Sequence, residues 1–305
     1  MTEEKPSETF DVGAFQRRVI DEFRANAGKV AMFGDEASLA LVTTTGASSG
    51  LPRTVPLSYV DVKGQKVIVA SAMGAPRNPA WYHNIRKNAR VTVETGTETF
   101  EALAAIPDGP DRDALFAEVV AIEPGFGEYQ AKTTRPIPVV TLHRVDEGAD
   151  RVRGMGDFVV EVHDWLRKEL AELRGQADEI ADGKATTFTR TADLGRELRE
   201  HCLNFCEALK HHHHGEDAGA FPMLARRFPS LAPVLTKLAE EHAVVARAQE
   251  RIRVLVEAYV PGEDDPARLR EELGRLATGL EAHFAYEERS IVAALNTLGP
   301  APEIP

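Results

Sequence analysis

The stretch Leu209–Leu224, with the sequence LKHHHHGEDAGAFPML, sets four histidines almost directly before two acidic residues. Residues four apart share one face of a helix, with about 5–6 Å between their Cβ atoms. A helix here would therefore place His212 beside Glu216. The same spacing returns in His283 and Glu287, again ahead of an apolar run. Two His-x-x-x-Glu pairs on helices are typical of a carboxylate-bridged metal site inside a helical bundle.

Two alternatives stay open for this stretch. The register within the four histidines is ambiguous, because His213 and Asp217 also stand four residues apart. A histidine-rich helix face can also be exposed to solvent without any metal. The second copy of the pattern, about seventy residues further on, favours the metal site.

Composition limits the class of protein. The chain has 305 residues, enough for two domains, with 43% hydrophobic and 28% charged residues. Its net charge is −12, and acidic residues outnumber basic ones in both halves, which argues against nucleic-acid binding. The sequence has no apolar run long enough to cross a membrane, and its first residues are polar and acidic. It therefore predicts neither a membrane span nor a secretory signal. We therefore expect a cytoplasmic protein in which Cys202 and Cys206 are reduced.

The distribution of histidine places the domain boundary. Only His83 and His143 precede residue 150, whereas the other eight of the ten histidines follow it. The pattern of apolar residues also changes there, from short strand-like runs to long helical ones. We therefore expect two domains, 1–152 and 153–305, joined around residues 147–154.

The first half reads as a small β-barrel preceded by a helix. Apolar residues recur at helical spacing over 10–26. Short runs rich in Val, Thr and Leu follow, separated by Gly and Pro. Short strands interrupted by only two helical segments, 79–87 and 111–129, predict a closed or partly closed barrel. The predicted strands are 39–45, 54–61, 66–71, 90–95, 100–106 and 139–142, and Pro56 within the second indicates an edge or a bulge.

Three loops of this half have the composition of a phosphate site. The hairpin Thr43–Arg53 combines free backbone N–H groups, hydroxyls and an arginine, and the loop Ser71–Arg77 carries a second arginine. The segment Asn78–Asn84 opens a helix with aromatic residues. Glycine-rich hairpins are more often simple turns, so each loop taken singly is a weak signal.

Together, the segments TTTGASSGLPRTVPL, ASAMGAPRNPAWYHNIRKNARVTV and EPGFGEYQAKTTRPIPVVTL resemble the deazaflavin-dependent nitroreductase family. The resemblance covers about residues 14–145 and implies a split β-barrel. It also implies hydride transfer from the reduced deazaflavin coenzyme F-420 to a nitroaromatic compound or a quinone. The residues that match the cofactor-binding positions are Arg53, Ser71, Trp81 and Tyr129, and Arg77 is a further cation in the same loops. Flavin mononucleotide is the alternative cofactor, and a homodimer through the barrel is a further expectation.

The resemblance has departures that bear on cofactor binding. Members of the family place lysines where this chain has Ser48 and Ala72, and substrate-pocket tyrosines where it has Ser58, Glu123 and Phe126. A charge-assisted hydrogen bond contributes about 1.5–3 kcal/mol. We therefore expect the barrel to bind the coenzyme more weakly than its lysine-bearing relatives do.

The second half reads as an up-down-up-down bundle of four long amphipathic helices. The predicted helices cover 157–181, 191–227, a segment from just after Ser230 to just before Pro261, and 266–298. Pro233 and Pro266 fall in first turns, where proline is tolerated. The chain as a whole is thus predicted to be an α+β protein of two domains, a split β-barrel followed by a four-helix bundle.

Counting residues from each predicted turn brings six candidate ligands to one layer of the bundle. His201 stands eleven residues from His212 on the same helix, or about 16 Å at 1.5 Å per residue, and is predicted to lie outside the layer. Six nitrogen and oxygen ligands suit a pair of iron ions with bridging carboxylates. The predicted ligands are His163, His212, Glu216, His242, His283 and Glu287.

The segments HDWLRKEL, LKHHHHGEDAGAFP, LAEEHAVV and LEAHFAYEERSIVAAL resemble the hemerythrin-like HHE cation-binding domain over about residues 155–297. The same six residues match its ligand positions. The resemblance implies a non-haem di-iron centre that meets O₂, peroxide or nitric oxide. Oxygen carriers of this type have a second histidine four residues before His242, where this chain has Leu238, which favours sensing or redox chemistry over reversible oxygen carriage.

Two functions follow as hypotheses. The first is a deazaflavin- or flavin-dependent oxidoreductase acting on a nitroaromatic compound or quinone, with an attached di-iron domain. The second is a di-iron protein that senses or scavenges O₂, peroxide or nitric oxide, with a barrel that has no catalytic role. The cofactor that is bound distinguishes them.

Overall fold

A computed structural model describes residues 11–34, 37–145, 152–182, 188–260, 264–265 and 267–302, and the side chains of residues 188–194 are not described. The chain divides into two compact units. The first comprises residues 1–147 with 226–230, and the second comprises residues 148–225 with 231–305. Most of the predicted junction 147–154, namely residues 147–151, lies outside the described residues, as does Pro266.

The first unit is a closed six-stranded antiparallel barrel with the strand order β1-β2-β3-β6-β5-β4. Pairing of Val42 with Val93, between β1 and β4, closes it. This confirms the barrel predicted from the short strand-like runs. The strands are β1 (Leu39–Thr45), β2 (Pro52–Val62), β3 (Gln65–Val69), β4 (Arg90–Thr95), β5 (Glu98–Ala105) and β6 (Val139–Arg144).

Strand β1 is buried on both faces from Leu39 to Val42, which explains why these four residues are all apolar. Ala40 and Val42 belong to the barrel core, together with Ile85 of helix α2 (Ala80–Lys87). The intervening residues Leu39 and Leu41 pack against helix α1 (Val12–Ala25). The alternation of a strand thus distributes one apolar run between the barrel core and the helix that covers it.

Proline accounts for two local features of the barrel. Pro56 pairs with Leu41 of β1, whereas the pairing of β2 with β3 begins only at Tyr59. Pro56 therefore lies where β2 has one partner strand, as expected of a residue that lacks an N–H group. The single helix predicted over 111–129 is wrong: α3 (Gly109–Ile122) ends before Pro124, and α4 (Gly125–Ala131) follows it.

The second unit is built on four long helices, as predicted. Contacts of His163 with His212 and of Glu169 with His201 show that the first two run antiparallel. The leucine-rich core of the bundle includes Leu166, Leu173, Leu209, Ile252, Leu273 and Phe284. The four helices are α5 (Met155–Ala181), α6 (Phe188–Gly215), α8 (Ala232–Ala258) and α9 (Ala267–Leu295), and the short α7 (Phe221–Arg227) follows α6.

Two details of the bundle position the ligands. A Cβ atom on Gly156 would come within 2.2 Å of the Val292 carbonyl oxygen, so glycine permits the close approach of α5 to α9. The uninterrupted helix predicted over 191–227 is wrong, because Glu216–Ala220 forms a π-helical turn between α6 and α7. Such turns change the direction of side chains and frequently occur at functional sites.

Over the described residues, no helix combines the length and the apolarity needed to cross a bilayer.

Candidate metal centre and barrel cavity

Seven ionisable side chains from four helical segments meet inside the bundle. They form two neighbouring groups of potential ligands, His163 with His212, Glu216 and Glu287, and His213 with His242 and His283. All seven are buried or nearly so, and Glu287 has no exposed surface. The sequence brings them together because the buried apolar faces of α5, α6, α8 and α9 carry six of these residues, and the π-helical turn after α6 adds Glu216.

The two glutamates lie between the two groups. Oε1 of Glu216 is 3.4 Å from Nε2 of His212, and Oε2 of the same carboxylate is 3.5 Å from Nε2 of His242. Oε2 of Glu287 is 3.4 Å from Nε2 of His283 and 3.7 Å from Nε2 of His163. Each carboxylate thus faces a histidine of both groups, which is the arrangement of a bridging ligand.

Three of the histidines are oriented by a carboxylate behind them. Nδ1 of His163 donates to Glu288, at 2.9 Å. The same contact, also at 2.9 Å, joins His242 to Asp217 and His283 to Glu241. With the Nδ1 proton fixed in this way, the lone pair of Nε2 points into the centre. Histidines that bind metal ions are commonly held by this second hydrogen bond.

The atoms that face the centre fit a cation better than they fit each other. Among the described residues, seven buried nitrogen and oxygen atoms have no hydrogen-bond partner: Nε2 of His213, His242 and His283, and both carboxylate oxygens of Glu216 and Glu287. Leaving such a group unpaired costs about 1–3 kcal/mol each, and more for a charged group. A pair of metal ions supplies the missing partner for all seven, so the residues present fit a two-metal centre.

Burial also shifts the ionisation of these groups. It lowers the pKa of His163 to about 2 and that of His212 to about 3, and it lowers the pKa of His213 further. The imidazoles are therefore neutral, which is the form that binds a metal. Burial raises the pKa of Glu287 to about 7 and that of Glu216 well above its ordinary value. Both carboxylates thus favour a compensating positive charge.

The structure brings together all six residues predicted as ligands and adds His213 to them. The sequence offered His212 and His213 as alternatives, but both side chains point into the centre, one in each group. Asp217, the alternative carboxylate, belongs to neither group and accepts a hydrogen bond from Nδ1 of His242 instead. His201 lies elsewhere, with its Nε2 atom 2.7 Å from Glu169.

In the barrel unit, a cavity of about 720 Å³ opens beside the hairpin that follows β1. Arg53 and Ser48 of the hairpin, Trp81 of α2 and Arg17 of α1 contribute to its wall. Two of the five residues predicted to bind the cofactor, Arg53 and Trp81, therefore share one cavity. Arg17 supplies a second cation that the composition of the loops does not predict, because it comes from a helix about 36 residues earlier in the chain than Arg53.

The hairpin is held in place by α2. The buried side chain of Asn84 accepts a hydrogen bond from the backbone N–H of Ala47 at 2.8 Å and donates to the hydroxyl of Thr44 at 2.9 Å. Nζ of Lys87 donates to the Ala47 carbonyl at 2.6 Å. These contacts fix the backbone that carries Arg53 and its neighbouring serines before any ligand arrives.

The other three predicted cofactor residues, Ser71, Arg77 and Tyr129, are not part of this cavity wall. The Ser71–Asn78 loop is organised by Arg135, whose guanidinium donates to the carbonyls of Ala70, Ser71 and Ala75 and to the Asn78 side chain at 2.7–3.1 Å. A Cβ atom on Gly74 would meet the backbone of Tyr129 at 2.9 Å, so this loop packs tightly against α4. Arg77 is exposed.

Replacing Arg135 with alanine should destabilise the barrel by about 2–4 kcal/mol, because four hydrogen bonds of a charged donor are lost at once. Urea unfolding followed by the fluorescence of buried Trp81, with Trp165 changed to phenylalanine, measures this. Arg24→Ala is the matched control, because Arg24 makes a two-pronged but exposed pair with Glu94 and should cost less than about 1 kcal/mol. Equal losses in the two variants would contradict a bracing role for Arg135.

The fold and the two sites together define the class: a barrel with a cation-lined cavity in one unit, and a histidine and carboxylate centre inside a helical bundle in the other. Residues 15–144 match the family model "F420H(2)-dependent quinone reductase", and residues 155–297 match the model "Hemerythrin HHE cation binding domain". The chain belongs to the F420H(2)-dependent quinone reductase family, an oxidoreductase family, and carries a hemerythrin HHE domain after it.

Individual proteins named for the same activity are similar to this chain. The chain is 40% identical over 107 residues to the F420H(2)-dependent quinone reductase Rv1261c of Mycobacterium tuberculosis. The matched segment covers 34% of this chain and 72% of that protein. It is 31% identical over 94 residues to the putative F420H(2)-dependent quinone reductase Rv3178 of the same organism, over 31% of this chain and 79% of that protein. A solved F420-H2 dependent reductase is 38% identical, with a TM-score of 0.32, over 35% of this chain and 94% of its own.

Proposed function

We propose that the barrel unit is an oxidoreductase that uses the reduced deazaflavin coenzyme F-420 to reduce a quinone, and that the bundle holds a non-haem di-iron centre. The single observation that supports the first part best is the cavity shared by Arg17, Arg53 and Trp81, in a chain of this family. The names of the relatives favour a quinone over a nitroaromatic compound as the acceptor. When bound, the coenzyme supplies the hydride.

The residues of the cavity bind and orient the coenzyme. Its phosphate and acidic tail are polyanionic, so they favour the side where Arg17 and Arg53 stand. Arginine holds phosphate oxygens through paired hydrogen bonds, and the Ser48 and Ser49 hydroxyls next to it add neutral donors. Trp81 gives the same cavity an aromatic wall against which a ring system packs. Arg17 on α1 partly replaces the cations that the hairpin lacks.

Changing Arg53 to alanine should weaken coenzyme binding by about 10- to 100-fold at low salt, because a charge-assisted contact is worth about 1.5–3 kcal/mol. The difference should shrink at high salt, since exposed charges are screened within about 10 Å at 0.1 M salt. Titration of the full-length chain with F-420, followed by its fluorescence at both salt concentrations, measures the effect.

Two further titrations complete this test. Lys63→Ala is the control, because Lys63 pairs with Glu118 and is not part of the cavity wall. Flavin mononucleotide is titrated in parallel as the alternative cofactor. If neither cofactor binds at low salt, the oxidoreductase proposal fails and the bundle is left as the active part.

The iron proposal is supported by the seven partnerless buried atoms and by the two carboxylates that face both groups of histidines. The ligands are nitrogen and oxygen atoms without a thiolate, which suits iron in a bundle of this kind. Bound iron supplies the ability to interact with O₂, peroxide or nitric oxide. The chain supplies neutral imidazoles held by Glu288, Asp217 and Glu241, and an apolar layer that excludes water around them.

A second candidate function rests on the same centre alone: sensing or scavenging of O₂, peroxide or nitric oxide by the bundle, with a barrel that has no catalytic role. The absorption spectrum of the purified chain and a quinone-reduction assay with reduced F-420 discriminate between the two. Iron absorption together with turnover supports the fused oxidoreductase. Iron absorption without turnover or bound cofactor supports the second candidate.

A further inference from the structure

A second cluster of metal-type ligands lies between α5 and α6, away from the buried centre. Glu169 and Glu172 stand one turn apart on α5 and face His201 on α6, and one ligand atom of each lies within 4.8 Å of the other two. The side chains of His201 and Glu169 are 20% and 22% exposed, and that of Glu172 is 51% exposed. The cluster is therefore walled by the two helices on one side and open to water on the other.

This cluster is separate from the centre described above. Glu169 follows His163 by six residues on α5, and His201 precedes His212 by eleven residues on α6. At 1.5 Å per residue these separations are about 9 Å and 16 Å along the helix axes. A single ion cannot reach both sets of ligands.

The contacts of His201 resemble those of a ligating histidine. Nε2 lies 2.7 Å from Oε2 of Glu169, while Nδ1 lies 3.3 Å from the side-chain oxygen of Gln176. A neutral imidazole has one N–H group, so it donates to only one of two such oxygens. At 2.7 Å, Nε2 and Glu169 are in direct hydrogen-bond contact, with Nε2 donating. When Nδ1 donates to Gln176 instead, the lone pair of Nε2 faces the carboxylate, and a cation that both groups bind takes the place of that proton. A hydrogen bond from the second ring nitrogen to an amide or carboxylate oxygen is the usual support of a metal-bound histidine.

The charge of the cluster also favours a cation. Two carboxylates converge on one imidazole, and the lysine beside them is only loosely engaged: Nζ of Lys168 is 3.9 Å from Glu172, with a side chain that is 72% exposed. An exposed pair of this kind contributes little, about 0–1 kcal/mol, and is easily displaced.

We propose that Glu169, Glu172 and His201 form an accessory site for one divalent transition-metal ion, with water in the remaining coordination positions. One imidazole and two carboxylates suit Zn²⁺, Fe²⁺ and Mn²⁺, and three protein ligands with an open position are typical of exchangeable sites rather than closed structural ones. The exposure of the cluster makes this ion labile, in contrast to the ions of the buried centre.

The same helix provides a matched control. Nε2 of His211 lies 3.0 Å from Oε1 of Glu207, four residues earlier on α6. The pair has the same two residue types at a similar distance but belongs to none of the ligand groups found among the described residues. Its side chains are 76% and 59% exposed. His211→Ala and Glu207→Gln therefore test the effect of losing an ordinary surface His–Glu pair.

The experiment is a calorimetric titration of the full-length, iron-loaded chain with Zn²⁺. We expect the wild type to bind about one Zn²⁺ more than His201→Ala, and Glu172→Gln to weaken that step by at least about tenfold. Glu172 is half exposed, so its variant keeps the fold if the His201 variant does not. His211→Ala and Glu207→Gln should bind as the wild type does, and the iron content should be the same in all five proteins.

The quantity compared is the number of Zn²⁺ ions bound by the wild type and by His201→Ala. Both proteins keep the buried centre, so the difference of one Zn²⁺ does not depend on whether that centre binds iron. Equal Zn²⁺ stoichiometry and affinity in the wild type, His201→Ala and Glu172→Gln would overturn the proposal. An equal loss in His211→Ala would overturn it too, because surface His–Glu pairs in general would then explain the binding.

Discussion

Replacing Glu216 by glutamine should leave the chain with fewer than about half an iron atom per molecule, where the wild type is expected to hold about two. The two oxygens of Glu216 face His212 and His242, which belong to different ligand groups. An amide has one weaker oxygen ligand and no negative charge, so both ions lose a ligand together. Loading with Fe²⁺ without oxygen, desalting and elemental analysis measure the result.

Glu207→Gln is the control for this loss. Glu207 lies on α6, about two and a half turns before Glu216, and like Glu216 it pairs with a histidine four residues away, but it is exposed. Its iron content should equal that of the wild type. A Glu216→Gln variant that keeps about two iron atoms would show that the carboxylate is not a ligand, whatever its position in the structure.

Helical spacing was enough to find most of this centre. The spacing of four residues predicts each His-x-x-x-Glu pair, and the number of residues from each predicted turn predicts the layer at which the pairs meet. These features are local, or depend only on helix length. The sequence also predicts the strands 39–45 and 90–95 with their observed bounds, because a glycine directly follows each run of strand-forming residues.

The spacing could not choose between His212 and His213. Adjacent residues on a helix point about 100° apart, so a helix with a single inward-facing site admits only one of them. The structure accommodates both because two ligand groups lie side by side across the bundle and each histidine faces a different one. The π-helical turn that begins at Glu216 is the other part that a regular 3.6-residue pattern does not predict.

Each carboxylate that accepts a hydrogen bond from a histidine of the centre is adjacent in sequence to another residue of the centre. Asp217 follows Glu216, Glu241 precedes His242, and Glu288 follows Glu287, so each stands next to a residue of the centre. Each one holds a histidine of a different helix: Asp217 that of α8, Glu241 that of α9 and Glu288 that of α5. The adjacency is visible in the sequence, but the partner across the bundle is not.

In the barrel, the unpredicted residues act over long separations. Arg135 holds a loop about sixty residues earlier in the chain, and Arg17 reaches the cavity wall from the first helix. Neither stands in a motif whose local spacing points to its role. Composition found the loops that carry Arg53 and Trp81, but only the closed barrel brings α1, the first hairpin and α2 around one cavity.

The second large effect is expected from Glu287→Leu, which should change the stability of the bundle in opposite directions with and without iron. Glu287 is fully buried, both of its oxygens lack a hydrogen-bond partner, and burial raises its pKa to about 7. Replacing a buried ion pair with apolar residues of similar volume is often neutral or stabilising, by about 1–4 kcal/mol, and a buried carboxylate without a partner has less favourable interaction to lose than such a pair. Without metal, the variant should therefore unfold several degrees above the wild type, since 1 kcal/mol shifts Tm by about 2–4 °C in a protein of this size.

With iron the order should reverse, because bound metal stabilises only the chain that still holds it, and this linkage grows with the ratio of free metal to Kd. Thermal unfolding followed by circular dichroism, in chelator and after loading with Fe²⁺, measures both signs on the same two proteins. Glu281→Leu is the control, since Glu281 is an exposed acid on the same helix that pairs with Arg167, and it should change Tm little in either condition. A Glu287→Leu variant that is less stable than the wild type even in chelator would contradict this prediction. Glu287 would then stabilise the bundle through its own contacts and not through bound metal.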